Sequence, residues 1–166
     1  MVSFGHTAVG VIIGIAAYKF LGSDNLAGNL IITGSVGFVS HYVMDAIPHG
    51  HFFMGKSYKN SIIPIIIFDL SLSIILFLGL LYFKEGFSEK FLYTMFGIGG
   101  SQFPDVIDGL IYIKIIKAKG LLKTENKIHQ ATHWHGKSSK PLLLGVRDIW
   151  QGLMVLTALV LTIFIN

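Results

Sequence analysis

Read from its amino terminus, the chain alternates long apolar runs with short polar breaks. A helix needs roughly 20 mostly apolar residues to cross a bilayer core. Five runs reach that length: about 4–21, 27–47, 62–83, 91–113 and 142–165. The third and fifth are the most continuous, with SIILFLGLLYF and MVLTALVLTIFI, whereas the second and fourth carry polar residues near one end. The first holds His6 but neither a basic leader nor a small-residue cleavage site, so it reads as a retained helix. Between the fourth and fifth runs, Glu125, His129 and His133 recur every four residues in TENKIHQATHWH. That spacing predicts one face of a short amphipathic helix. The pattern as a whole predicts an all-α protein. It is an integral membrane helical bundle with about five transmembrane helices, one domain over residues 1–166, and a short cytoplasmic amphipathic segment.

Composition narrows this further. Of 166 residues, 52% are apolar and 13% charged, about half the charged share of a soluble domain. A soluble globule and a disordered chain are both excluded. The absence of cysteine removes disulfide scaffolds, thiolate metal ligands and cysteine nucleophiles. The net charge of +4 acquires meaning only when sorted by membrane side. Five spans place the N-terminus, 48–61 and 114–141 on one side, with 22–26, 84–90 and the C-terminus on the other. Of the 13 basic residues, ten lie on the first side: Lys56, Lys59, Lys114, Lys117, Lys119, Lys123, Lys127, Lys137, Lys140 and Arg147. Lys19, Lys84 and Lys90 lie on the second. The positive-inside rule makes the first side cytoplasmic. The expected location is therefore the cell's inner (cytoplasmic) membrane, multi-pass, with a cytoplasmic N-terminus. No aromatic-interleaved basic platform points to nucleic acid.

The remaining ionisable groups gather on the same side. All seven histidines fall there (His6, His41, His49, His51, His129, His133, His135), with Asp45, Asp69, Asp105, Asp108, Glu125 and Asp148. Ionisable groups within a membrane are costly and usually face one another or a cavity. One polar pocket at cytoplasmic depth accommodates them. In HxxxDxxxH, His41 and Asp45 share a helix face, and Pro48 is expected to end the helix so that His49 turns over the pocket. In GGSQFPDVIDG, Asp105 and Asp108 occupy neighbouring positions beside Pro104.

Imidazole and carboxylate without thiolate suit a divalent metal, Zn first, with Mn or Fe as alternatives, in one or two ions. The candidate ligands are His6, His41, Asp45, His49, Asp69, Asp105, Asp108, His129 and His133. Asp69 or Asp108, by depth, is the candidate general base. Lys56, Lys137 and Arg147 suit an anionic substrate. Plainer readings stand beside these. His51 and His135 adjoin glycines as surface residues would, Glu125 solvates a basic helix, and Asp148 pairs with Arg147 or a neighbouring lysine. Gly10, Gly14, Gly34, Gly37, Gly97 and Gly100 permit close helix packing, with Gly10 and Gly14 on the face of His6 and Gly37 on that of His41.

HTAVG, GFVSHYVMDAIPHGH, the aspartate of FDLSLSII, and GIGGSQFPDVIDG together resemble small bacterial membrane-bound metal-dependent hydrolases of the YdjM-like type. The order of the PD and SHxxxD motifs is reversed from the better-known branch. The resemblance implies a metal site and hydrolase chemistry. The expected function is a metal-activated water attacking a phosphoester or other ester of a lipid-like or anionic substrate at the cytoplasmic face. A divalent-metal or proton transporter, and a non-catalytic scaffold clamped by metal, are the alternatives. Transport expects ionisable groups toward both sides, and the spans offer almost none near the second side.

Overall fold

A computed structural model describes residues 3–47, 62–132 and 149–165. They form six helices and, among the described residues, no strand. In chain order these are α1 (Ser3–Leu21), α2 (Leu26–Ala46), α3 (Ile62–Glu85), α4 (Glu89–Tyr112), α5 (Leu121–Thr132) and α6 (Ile149–Phe164). Five of them coincide with the apolar runs, and α5 is the short amphipathic helix.

The expectation of five spans is met only in part. Among the described residues, Phe4–Leu21 and Leu26–Ala46 are long and apolar enough to cross a membrane, and Ile149–Phe164 is a shorter apolar helix. The reason in α4 is its composition. Its length is interrupted by Gly97, Ser101, Gln102, Asp105 and Asp108, and much of this polar set turns inward.

Local chemistry sets the helix ends. The Asn25 side chain accepts from the Gly28 amide at 3.2 Å, and Ser88 Oγ from the Phe91 amide at 3.1 Å. Both satisfy amides that a helix start leaves without partners. Helix α2 stops at Ala46, and Ile47 is extended (φ −77°, ψ 131°) as the residue before Pro48 prefers. Gly86, with φ +65°, ends α3 in the left-handed region that glycine adopts without cost.

Helix α4 is wedged between α1 and α2, and glycine makes the wedge possible. A Cβ on Gly10 would lie 2.6 Å from the Ile98 Cα, and one on Gly37 2.6 Å from the Gly97 carbonyl oxygen. No side chain fits there, so the backbones touch. The pairing of Gly10 with Gly97 and Gly14 with Thr94 makes α1 antiparallel to α4. Gly34 meets Phe96 and Gly100, while Gly37 meets Gly97 and Ser101, so α2 runs parallel to it. Ala8, Val11 and Ile15 of α1 complete a core with Phe77, Ile98 and Ala158.

Polarity is arranged opposite to that of a soluble core. His6, Thr7, Thr33, His41, Asp45, Ser73, Ser101 and Gln102 are buried, whereas Ile31, Val39, Val43, Ile75, Leu153 and Leu156 are exposed. Away from the His6 end, Lys84 Nζ donates to the carbonyls of Thr162 (3.3 Å), Ile163 (2.9 Å) and Ile165 (3.2 Å). Lys90 is buried, donating to Glu85 Oε1 at 2.5 Å and to the Ile165 carbonyl. These ammonium groups cap the C-terminus of α6, where the helix dipole favours cations.

Candidate metal centre

Four helices bring donors to one point. His6 enters from the first turn of α1, His41 and Asp45 from the last turns of α2, Asp105 from late α4, and His129 from α5. The spacing of four residues aligns His41 with Asp45, and the glycine contacts set α4 against α1 and α2 so that Asp105 arrives at the same level.

The Asp45 carboxylate is central. Its Oδ1 lies 3.1 Å from His6 Nε2, and its Oδ2 lies 3.1 Å from His41 Nε2 and 3.0 Å from His129 Nε2. The His41 and His129 Nε2 atoms are 3.0 Å apart. Asp105 Oδ1 stands 3.7 and 3.6 Å from those two nitrogens. Donor atoms about a zinc ion at 2.0–2.1 Å are separated by about 3.3 Å at tetrahedral angles, and the pairs above lie near that spacing, in two overlapping groups of three, His6–His41–Asp45 and His41–Asp105–His129. The buried His and Asp groups could hold a metal ion.

The outer nitrogens explain why the inner ones converge. His41 Nδ1 is 2.7 Å from the Ser101 carbonyl oxygen. A carbonyl only accepts, so Nδ1 carries a proton and donates it, which turns Nε2 toward the cluster. His129 Nδ1 lies 2.9 Å from Asp108 Oδ2, while Asn126 Nδ2 donates to Asp108 Oδ1 at 2.5 Å. An imidazole whose far nitrogen is tied to a carbonyl or carboxylate is the usual arrangement behind a metal-ligating histidine. Burial opposes charge on His129, but Asp108 and Asp45 outweigh it and raise its pKa to about 10. The cluster is therefore balanced either by a proton on His129 or by a cation among the Nε2 atoms. His6 stacks on His41 with ring centroids 4.0 Å apart. Its Nδ1 is buried, with no hydrogen-bond partner among the described residues.

Of the sequence candidates, His6, His41, Asp45, Asp105 and His129 meet at the centre. Asp108 sits behind His129, with one oxygen toward its Nδ1 and the other toward Asn126. Asp69 belongs to α3, one turn before Ser73, and its side chain lies outside the described residues. So do His49, His133, Lys56, Lys137 and Arg147.

Several participants carry little signal in the sequence. The Ser101 carbonyl is a backbone group. Tyr42 donates to Glu125 Oε1 at 3.0 Å and sets its ring edge-on to His129, with centroids 6.2 Å apart. Glu125 does not merely solvate a basic helix. It is half-buried beside Asp108 and His129, and burial raises its carboxyl above the usual range despite the Tyr42 hydrogen bond. Its position one turn before His129 was the available clue. Deeper in, Gln102 Nε2 donates to Thr7 Oγ1 at 2.6 Å, and the Thr7 and Ser73 hydroxyls are 2.9 Å apart.

Comparison with protein-family models, curated proteins and solved structures finds no match for this chain.

Proposed function

We propose that this protein is a membrane-embedded, metal-dependent hydrolase akin to the YdjM-like type. In this reading five helices (α1, α2, α3, α4 and α6) span the inner membrane, with the centre at its cytoplasmic face. One observation carries the reading: the His41 hydrogen bond to the Ser101 carbonyl turns Nε2 toward Asp45 and His129, where the neutral ring would offer a lone pair. A buried lone pair facing a carboxylate is unfavourable without a shared proton or cation. The exposed apolar faces and buried polar interior support the membrane setting.

His6, His41, Asp45 and His129 would hold the ion, Zn first by donor chemistry. A bound divalent cation supplies Lewis acidity and lowers the pKa of water. Asp105 is the candidate general base. Its side chain is 25% exposed and faces both imidazoles, whereas both Asp108 oxygens are engaged. Asp108 then positions His129. An ester or phosphoester of a lipid-like or anionic molecule is the substrate class that suits a basic cytoplasmic rim.

The test is elemental analysis of purified protein followed by turnover on a panel of carboxylic and phosphate esters. The expected result is about one or two equivalents of metal and metal-dependent hydrolysis, both lost in His41→Ala. Undiminished metal in that variant would end the reading. The buried Gln102–Thr7–Ser73 string favours a second reading, in which protons or cations move inward from the centre. Metal-driven flux into liposomes without ester turnover would select it.

A further inference from the structure

Helix α5 brings a donor to the centre yet has little apolar anchorage. Of its described side chains only His129 is fully buried, and none contributes to the apolar core. Its inward contacts are polar: Glu125 with Tyr42, Asn126 with Asp108, and His129 with the cluster. A helix of 12 residues is marginal in water unless something outside it holds it.

Its outer face indicates what does so. Leu121 and Ile128, two turns apart on one side, are 88% and 49% exposed. Lys123 and Lys127, one turn apart, are exposed on a second stripe further round the helix. The only acid of α5, Glu125, turns inward to Tyr42, so the outer face is apolar and cationic without a compensating carboxylate. The stretch joining it to α4 repeats the combination, exposing Ile115 with Lys114 and Lys117. This is the composition of a helix lying in an anionic headgroup layer, with apolar residues dipping and lysines on phosphates. Its place agrees, because α5 covers the bundle end where α1 begins and α2 and α4 finish.

We propose that an anionic lipid surface binds the outer face of α5 and holds it as a lid on the centre, so that headgroup charge sets how tightly the site keeps its cation. This rests on the reading of the site as a metal centre in a membrane. Lipid and cation both favour the docked α5, the first through Leu121, Lys123, Lys127 and Ile128, the second through His129. Two ligands that favour one state strengthen each other reciprocally.

The experiment places the full chain in nanodiscs of phosphatidylcholine alone or with phosphatidylglycerol. It measures zinc affinity by chelator competition and amide exchange across residues 121–132. Two lysines near an anionic surface are expected to tighten zinc by about tenfold and to slow exchange in α5. A Lys123→Gln/Lys127→Gln double variant should lose that gain while matching the unaltered chain in phosphatidylcholine. A Leu121→Ser/Ile128→Ser variant should also lose it, which separates insertion from charge alone. Equal zinc affinity and equal exchange in the two lipids would overturn the proposal, as would a gain that survives both variants. Slower exchange in anionic discs with no zinc bound in either would support the docking and reject the metal centre beneath it.

Discussion

His41 Nδ1 donates to the Ser101 carbonyl at 2.7 Å, across 60 residues of sequence. That bond sets the tautomer of His41 and its ring orientation, and so directs Nε2 to Asp45 and His129. Pro104 lacks the amide that would otherwise bond to the Gly100 carbonyl, one residue earlier. A break in the α4 hydrogen-bond ladder therefore adjoins the carbonyl that orients the histidine.

Removing a donor at the middle of the cluster should empty it. Asp45→Asn retains the shape but removes the charge shared by three imidazoles. Metal content should fall below a tenth of the unaltered value, and elemental analysis after gel filtration reads it directly.

Removing an orienting group should weaken the site without abolishing it. Asp108 holds the far nitrogen of His129, and partners of this kind typically contribute about 10–100-fold in metal affinity. Asp108→Asn is expected to bind zinc within that range of weakening, whereas Asp45→Asn falls well beyond it. Equal losses in a chelator competition would place Asp108 among the direct ligands instead.

Metal binding should depend on pH through His129. Burial alone would lower its pKa, but Asp108 and Asp45 raise it from 6.5 to about 10. In the metal-free protein that proton contributes stability fully present below 6.5 and lost as pH rises through about 10. A cation must displace it. Zinc affinity is therefore expected to rise by about tenfold per pH unit between roughly pH 6 and pH 8, and titrations at three pH values would measure the slope. A His129→Ala variant should bind more weakly with a flatter slope.

Packing of α4 should tolerate a methyl group at one glycine and reject it at another. A Cβ at Gly37 would meet the Gly97 carbonyl oxygen and the Ser101 amide nitrogen at 2.6 and 3.0 Å, whereas one at Gly99 meets nothing within 4 Å. Gly37→Ala should destabilise by about 1–3 kcal/mol. Gly99→Ala should be neutral or stabilising by up to about 1 kcal/mol through helix propensity. Thermal unfolding in detergent distinguishes them, and only Gly37→Ala should also reduce metal content.

Much of this was legible along the chain. Hydrophobic runs located α1, α2, α3, α4 and α6, and the spacing of four in TENKIH located α5 with His129 on its inner face. The common depth of His6, His41, Asp45, Asp69, Asp105 and Asp108 signalled one pocket, the Asp69 side chain lying outside the described residues. The roles inside it were not legible. Asp105 and Asp108 look equivalent three residues apart, yet one faces the His41 and His129 Nε2 atoms and the other backs onto His129 Nδ1. Tyr42 and Glu125 are 83 residues apart, and neither marks the other in sequence.

By itself the sequence determined the helices, their faces and the level at which charge collects, because helix periodicity and hydropathy are local properties. Tertiary structure decided which donors meet. His6 and Asp45 are 39 residues apart, and His41 and His129 are 88. Their encounter depends on the register in which backbones pack. That register is set where glycines on α1, α2 and α4 bring main chains into contact, and a shift of one turn there moves a donor by about 5.4 Å, more than the 4.8 Å within which each group of three donors lies.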